Sequence, residues 1–260
     1  MSWLITPTER TRLDQDYRNV SLLLHGNGTN GSTTFTDNSP TPKTVTAVGN
    51  AQISTAQSKF GGASIAFDGT GDYLTSPSNS ALHVLGSDFT LELWVRLAAS
   101  QNNFGLFSTY TDAGSNVRGY IVRIIPTGLR VFAGKGGSLS VLQDNTYTFS
   151  VGQWYHIAVT SQANTGRVFI DGIQQGGTID FSGTVNSTET LQIGRTHTAT
   201  DDLNGFIDDL RITKNEGRRS AGGRWVSGTL ARHEFQALVF SEHAENPEYA
   251  EYRLYLVRLL

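Results

Sequence analysis

The stretch 153-QWYHIAVTS-161, with 166-GRVFIDGIQQG-176 after it, decides the fold class. Apolar and polar residues alternate in the first stretch, so Ile157 and Val159 share one face, and this period is typical of a half-buried β-strand. The second stretch carries Asp171-Gly172 between two apolar runs. That dipeptide favours a two-residue hairpin turn, because both positions tolerate positive φ. The two stretches therefore predict neighbouring antiparallel strands.

The same pattern of strand and turn residues extends over most of the chain. From Val20 to Thr213, brief apolar runs alternate with Gly, Asn, Asp, Ser and Thr, which indicates strands joined by turns. The 260 residues include 28 glycines and one methionine, and charged residues make up 17%, which also disfavours a helical protein. The chain is predicted to be all-β, with strands near residues 20–25, 44–53, 63–67, 72–76, 88–98, 103–110, 119–125, 129–133, 153–161, 166–171, 188–194 and 203–213.

Charge and composition exclude several classes of partner and chemistry. The net charge of −3 gives no basis for binding nucleic acid through bulk electrostatics. The absence of cysteine excludes disulfides, thiolate metal sites and a cysteine nucleophile. Residues 1–20 lack the apolar run of a signal peptide, and no stretch approaches the roughly 18 apolar residues of a membrane span. We therefore expect neither nucleic-acid binding nor membrane insertion.

Several stretches, taken in order, carry a family resemblance. They are 60-FGGASIAFDGTGDYLTSP-77, 88-DFTLELWVRL-97, 153-QWYHIAVTS-161, 167-RVFIDGIQQ-175, 192-QIGR-195 and 203-LNGFIDDLRIT-213. Together they resemble the laminin-G-like, concanavalin-A-like jelly-roll domains, and 20-VSLLLHGNGTNGSTTFTDNSP-40 resembles the opening of the versions found in bacteriophage virion proteins. The resemblance covers residues 20–214 and implies an antiparallel jelly-roll β-sandwich, a fold that carries many functions.

The chain divides into three predicted parts: an N-terminal arm over residues 1–19, the sandwich over 20–214 and a C-terminal docking arm over 215–260. The apolar residues of the last segment are spaced close to a helical period, and a terminal helix and a loosely ordered tail are both open. Exposed apolar surface of this extent needs a partner: the sandwich itself, a symmetry mate, or a capsid or tail protein. The predicted partner-binding residues are Trp3, Phe235, Phe240, Tyr252, Tyr255 and Leu256.

Catalytic chemistry is not apparent in the sequence. A glycoside hydrolase needs two carboxylates about 5–10 Å apart. Glu92 stands alone in its strand, and the adjacent Asp208 and Asp209 would point to opposite faces. No serine lies in a Gly-x-Ser-x-Gly context. We predict no catalytic residues and a protein that is not an enzyme.

The stretch 66-AFDGTGDYLTS-76 has two open interpretations. Asp68 and Asp72, together with Asp209, could supply oxygen ligands for Ca²⁺. Alternatively, Asp68 caps a turn in which Gly69 and Gly71 take positive φ, and Asp72 accepts hydrogen bonds from nearby backbone amides. Asp-Gly and Gly-Asp are ordinary turn dipeptides, so the turn is the first expectation.

A saccharide site would need exposed aromatic rings beside amides and acids. The alternative for each candidate is an ordinary solvated loop residue, since Tyr and Asp are common in turns. The predicted ligand-binding residues are Tyr110, Asp112, Asn116, Arg118, Tyr120, His197 and Asp201.

Two functions are compatible with this sequence. The first is a structural or decorating protein of a bacteriophage virion, on the capsid or the tail, made in the host cytoplasm and assembled through its arms with other virion proteins or as a homo-oligomer. The alternative is a carbohydrate-binding adhesion module that recognises host surface glycans.

Overall fold

The computed structural model describes residues 17–100, 102–111, 116–197 and 201–214. The predicted arm residues Trp3, Phe235, Phe240, Tyr252, Tyr255 and Leu256 lie outside these ranges. The strands in chain order are β1 (Val20–Leu24), β2 (Thr46–Val48), β3 (Gln52–Ser54), β4 (Ser64–Asp68), β5 (Tyr73–Ser76), β6 (Phe89–Leu97), β7 (Phe104–Ser108), β8 (Tyr120–Ile125), β9 (Gly128–Lys135), β10 (Ser138–Thr146), β11 (Trp154–Gln162), β12 (Thr165–Ile170), β13 (Ile173–Asp180), β14 (Leu191–Ile193) and β15 (Asn204–Lys214).

These strands form two antiparallel sheets. Sheet A has the order β13-β12-β11-β6-β15-β4-β3, and β1 also pairs with β15. Sheet B has the order β10-β9-β8-β7-β14-β5-β2. The predicted antiparallel β-sandwich is confirmed. Two 3-10 helices, Tyr17–Asn19 and Ser80–Leu82, lie outside the sheets, and no helix in the described part of the chain is long and apolar enough to cross a membrane.

The core lies between the sheets and follows the predicted alternation. In β6 the side chains of Leu91, Leu93 and Val95 face inward, so the residues between them face outward. The inward face of β11 is the predicted one, with Ile157 and Val159 in the core. Burying each large apolar side chain stabilises the fold by about 1.5–3 kcal/mol, and this burial holds the two sheets together.

A bulge in β15 shapes the centre of sheet A. The pairing of β15 with β6 shifts register between Asp208 and Arg211, and Asp209 takes a positive φ of 49°. The extra residue moves the inward positions from Ile207 to Leu210, because a bulge displaces the two-residue period. Asp209 is thereby turned toward the edge where β1 pairs with β15.

The hairpin prediction is confirmed, whereas one strand was missed. Asp171 and Gly172 join β12 to β13 with φ of 49° and 77°, as a type I′ turn requires. The region 44–53 contains two short strands separated by a turn rather than one strand. Strand β10 was not predicted, and it is the edge strand of sheet B, largely open to solvent.

Candidate functional site

The candidate binding surface lies on the outer face of sheet B, where two loops meet at Ser108. The β14–β15 loop lies over this face, close to Gly105: a Cβ there would come 2.2 Å from the backbone carbonyl carbon of Arg195. His197, from the same loop, contacts the Ser108 hydroxyl through Nδ1 at 2.9 Å. From the other loop, the backbone N–H of Tyr110 donates to the same hydroxyl at 3.3 Å. Ser108 therefore joins two loops that are far apart in sequence.

The β7–β8 loop supplies the remaining polar groups of the surface. Thr111 and Arg118 form an isolated antiparallel bridge, which brings the two ends of the loop together. The Arg118 Nε donates to the Asn116 side-chain oxygen at 3.1 Å. Tyr110, Arg118 and His197 are half-buried and Asn116 is exposed, so all four present atoms to solvent. We call these four residues the loop surface.

His197 supplies an uncharged imidazole to the loop surface at neutral pH. Burial lowers its pKa, and the positive charge of Arg195 lowers it further, against an opposing effect of Glu189. A neutral imidazole has one donor and one acceptor nitrogen. Its Nδ1 pairs with the Ser108 hydroxyl, which is itself both donor and acceptor, and its Nε2 is buried.

Two other predicted ligand residues have structural roles. Asp201 is 3% exposed and accepts hydrogen bonds from Arg123 Nη1 at 2.6 Å and from the Thr196 hydroxyl at 3.0 Å. Tyr120 belongs to the hydrophobic core, and complete burial raises the pKa of its phenol. A ligand reaches neither side chain, so these two assignments are wrong. Asp112 lies outside the described residues.

The turn interpretation of Asp68 and Asp72 is confirmed. One Asp68 carboxylate oxygen accepts the Thr70 N–H at 2.7 Å, and Gly69 and Gly71 take φ of 88° and 74°. Asp72 is 1% exposed and accepts the backbone N–H groups of Asn50 and Asp68. Both carboxylates therefore hold nearby backbone N–H groups in place.

Asp209 does not complete a metal site with these two acids. Asn204 pairs with Asp68, and Asp209 lies five residues further along β15, about 16 Å away at 3.3 Å per residue. The acid that reaches the turn is Asp202, which accepts the Gly71 N–H at 2.8 Å. Within the described ranges no group of three or more His, Asp or Glu side chains is placed to hold a metal ion, and the structure does not bring Asp68, Asp72 and Asp209 together as the calcium assignment requires.

Asp209 instead pairs with a histidine beside a small groove. His25 Nδ1 lies 2.9 Å from Asp209 Oδ1, at the end of β1. The groove has a volume of about 270 Å³ and is lined by Leu24, His25, Gly26, Asn27, Phe35, Thr36, Asn38 and Ile53. The sequence carries no local signal for this pair, because its members are separated by almost the whole sandwich.

Glu92, the lone acid of β6, lies on the outer face of sheet A. It is 3% exposed, and its Oε2 lies 3.6 Å from His156 Nε2. The Trp94 ring packs against the same imidazole with centroids 5.2 Å apart. This is a buried acid–imidazole pair, an arrangement different from the two separated carboxylates of a glycosidase.

A family model described as the concanavalin A-like lectin/glucanases superfamily matches residues 68–216, more than half of the chain. A search of curated proteins found no match at the sequence level.

Solved structures with the same fold include a domain of an arabinanase and the binding domain of a neurotoxin. Domain 4 of AbnA, an extracellular arabinanase from Geobacillus stearothermophilus, is in complex with arabinotriose; it is 17% identical, with a TM-score of 0.57, over 75% of this chain and 92% of that domain. The botulinum neurotoxin serotype G binding domain is 14% identical, with a TM-score of 0.58, over 85% of this chain and 51% of its own length.

A structure of botulinum neurotoxin type C, which depends upon interaction with two ganglioside molecules to enter cells, is 14% identical, with a TM-score of 0.57, over 87% of this chain and 53% of that one. This chain thus spans about half the length of these neurotoxin domains. At such identities the likeness establishes the fold alone.

Proposed function

Because the chain belongs to the concanavalin A-like lectin/glucanases superfamily, we propose that it is a non-catalytic carbohydrate-binding domain that binds an oligosaccharide at the loop surface. The observation that carries the proposal is the junction at Ser108. Tyr110, Asn116 and Arg118 come from one loop and His197 from another, and hydrogen bonds to the Ser108 hydroxyl hold the two loops together.

The chemistry of the loop surface suits a saccharide. Binding sites combine aromatic rings with a few placed polar groups that fix the orientation of the ligand. Tyr110 offers a ring to the apolar face of a sugar. The Asn116 amide and the Arg118 guanidinium offer donors and acceptors for sugar hydroxyls.

The rigid support of the loop surface favours the same function. Arg123 and Asp201 form an ion pair in which the side chains are 19% and 4% exposed, and Thr196 holds the same carboxylate. This ion pair anchors the β14–β15 loop to β8 on either side of His197. A preorganised surface loses little conformational entropy on binding, which raises affinity.

The display of this domain on a bacteriophage particle stays a prediction from the sequence. Two of the structures described above, domain 4 of AbnA and the type C neurotoxin, bind arabinotriose or interact with gangliosides, so they support carbohydrate binding ahead of a purely structural role. The two roles are compatible, because a binding domain can be attached to a particle through its arms.

A glycan array probed with the full chain tests the proposal. The array includes arabino-oligosaccharides and ganglioside headgroups, and the affinity of each hit is then measured by titration calorimetry. We expect Tyr110→Ala and Arg118→Met each to weaken binding about tenfold or more, since tenfold corresponds to about 1.4 kcal/mol.

Matched controls lie away from the loop surface. Tyr17→Ala removes an exposed tyrosine beside Asn38, and Arg167→Met removes a half-buried arginine from β12 of sheet A. Both should leave affinity unchanged. An array without hits would overturn the function, and equal affinities for Tyr110→Ala and Tyr17→Ala would overturn the location.

A further inference from the structure

The outer face of sheet A is buried although it lies on the outside of the sandwich. Alternation places Thr90 and Glu92 of β6 and His156 and Thr160 of β11 on this face, because the residues between them are in the core. Their exposures are 2%, 3%, 3% and 4%. The outer face of a two-layer sandwich normally contacts water and carries solvated side chains.

Several polar atoms on this face are buried without a hydrogen bond. They are the hydroxyls of Thr90 and Thr160 and the Nδ1 of His156. The two threonines are direct cross-strand neighbours, and His156 lies opposite Trp94 on the same pair of strands. Each buried polar atom without a partner destabilises a fold by about 1–3 kcal/mol, so a native protein is expected to supply partners.

One end of this face is already covered. Phe60 packs edge-on against Trp94 with centroids 5.8 Å apart, and the Lys59 ammonium lies 4.1 Å from the Trp94 ring centroid. The Asp208 carboxylate holds both residues by accepting their backbone N–H groups at 2.7 and 2.9 Å. Thr90 lies four residues from Trp94, about 13 Å along the strand. The threonine end thus needs a separate cover.

The last described strand ends at the threonine end. Thr213 pairs with Thr90, and Lys214, the last residue of β15, pairs with Phe89. We propose that residues 215–260 dock on the threonine end of the outer face of sheet A and supply the missing partners of Thr90 and Thr160. This segment begins two residues after Thr213, which pairs with Thr90, and a small part of its 46 residues can span a face of about 13 Å.

The N-terminal residues begin on the other side of β15. β1 pairs with β15 on the edge opposite to β6, with Val20 facing Thr213. The Tyr17 hydroxyl donates to the Asn38 carbonyl at 2.8 Å, which holds the start of the described chain beside β1. The C-terminal segment therefore has the shorter path to Thr90.

The composition of the segment matches the polar face. Residues 216–260 contain six arginines, six glutamates and three tyrosines, so both donors and acceptors are available. The face presents Glu92 and Arg211 as direct cross-strand neighbours, 3% and 8% exposed. Aromatic residues with arginines are the types enriched where protein surfaces are buried.

Photo-crosslinking of the full chain tests the docking. p-Benzoylphenylalanine replaces Arg167, a half-buried residue opposite Thr160 on the same face. The control carries it in place of Arg130 on the outer face of sheet B. After irradiation and trypsin digestion, we expect cross-linked peptides from residues 215–260 in the monomer fraction of the Arg167 variant and not of the control.

Every other result overturns the proposal. Cross-links to residues 1–16 would assign the face to the N-terminal segment, and cross-links found only in a dimer fraction would assign it to a second copy. No cross-link, or equal cross-linking of both variants to 215–260, would remove specific docking.

A second measurement uses the absence of cysteine from the chain. Thr160→Cys in the full chain should react with a maleimide at least about a hundredfold more slowly than Val141→Cys, whose parent residue is 53% exposed. Comparable rates would show that the face is open and would overturn the docking.

Discussion

The carboxylate of Asp72 should contribute more to the stability of the sandwich than any other acid in the 66–76 turn. Asp72→Ala removes the acceptor of two backbone N–H groups, those of Asn50 and Asp68, at a side chain that is 1% exposed. Hydrogen bonds to charged groups contribute about 1.5–3 kcal/mol each, and the loss leaves two donors unpaired. We expect a loss of about 3–5 kcal/mol of unfolding free energy.

Asp68→Ala is the matched control in the same turn. Its carboxylate is exposed and accepts one N–H from Thr70, so its loss should reduce the free energy of unfolding by about 1 kcal/mol or less. Urea titrations of the full chain, followed by circular dichroism, give both free energies. For a protein of this size, a loss of 3–5 kcal/mol lowers the melting temperature by roughly 6–20 °C.

The same samples test the metal interpretation directly. A calcium ion bound only to the folded state would raise the melting temperature through mass action. We expect identical melting temperatures in chelator and in millimolar calcium. A calcium-dependent rise that disappears in the Asp72 variant, or a cost for Asp72→Ala no larger than for Asp68→Ala, would refute the reasoning.

Two further predictions concern glycine and histidine. Gly194→Ala should destabilise the fold by several kcal/mol and Gly172→Ala by about 1 kcal/mol. Both glycines have a positive φ, 83° and 77°, but only at Gly194 would the added Cβ meet a side chain, 2.6 Å from the Phe67 ring. Equal losses of unfolding free energy in urea titrations would contradict this. The lowered pKa of His197 means that the unfolded chain binds more protons as pH falls below about 6.5, so stability is lost on acidification. His197→Gln should lose less stability than the wild type between pH 7.5 and 5.5, and an equal loss would argue against a buried neutral imidazole.

Local patterns predicted the parts of the fold where burial repeats with the strand period. The alternation in β6 and β11 and the Asp171-Gly172 turn needed no distant information, because side-chain direction and turn geometry are set by neighbouring residues. Strand β10 was not predicted, because an edge strand open to solvent has no buried apolar face that would appear as a pattern in the sequence. Its signal was the Gly136-Gly137 turn before it, with φ of 61° and 80°.

The candidate site was predicted only in part because its construction is not local. Tyr110, Asn116 and Arg118 could be chosen as loop residues, but Ser108, which joins them to His197, gives no signal in a strand. Tyr120 was misassigned because 120-YIVRII-125 is apolar on both faces, so alternation does not tell which side its ring takes.

Asp201 and Asp209 show the same limitation for acids. Asp201 pairs with Arg123, 78 residues earlier, and Asp209 with His25, 184 residues earlier. The sequence marks both acids as candidates for a site, but only the sheet order decides whether a partner lies beside them. An acid in a turn is predictable from its neighbours, as Asp72 was, whereas an acid in a bulge is not.

The two proposals make different demands on the sandwich, and its two-layer construction can meet both. The loop surface belongs to the outer face of sheet B and the docking face to the outer face of sheet A, so a core about 10 Å thick separates them. A segment docked over Thr90 and Thr160 would leave Tyr110 and His197 open to solvent. Saccharide affinity should therefore be the same with benzoylphenylalanine at Arg167 as in the wild type, and Tyr110→Ala should not change the cross-linking pattern. Coupling between the two measurements would mean that the C-terminal segment contacts the loop surface, which would contradict docking confined to the outer face of sheet A.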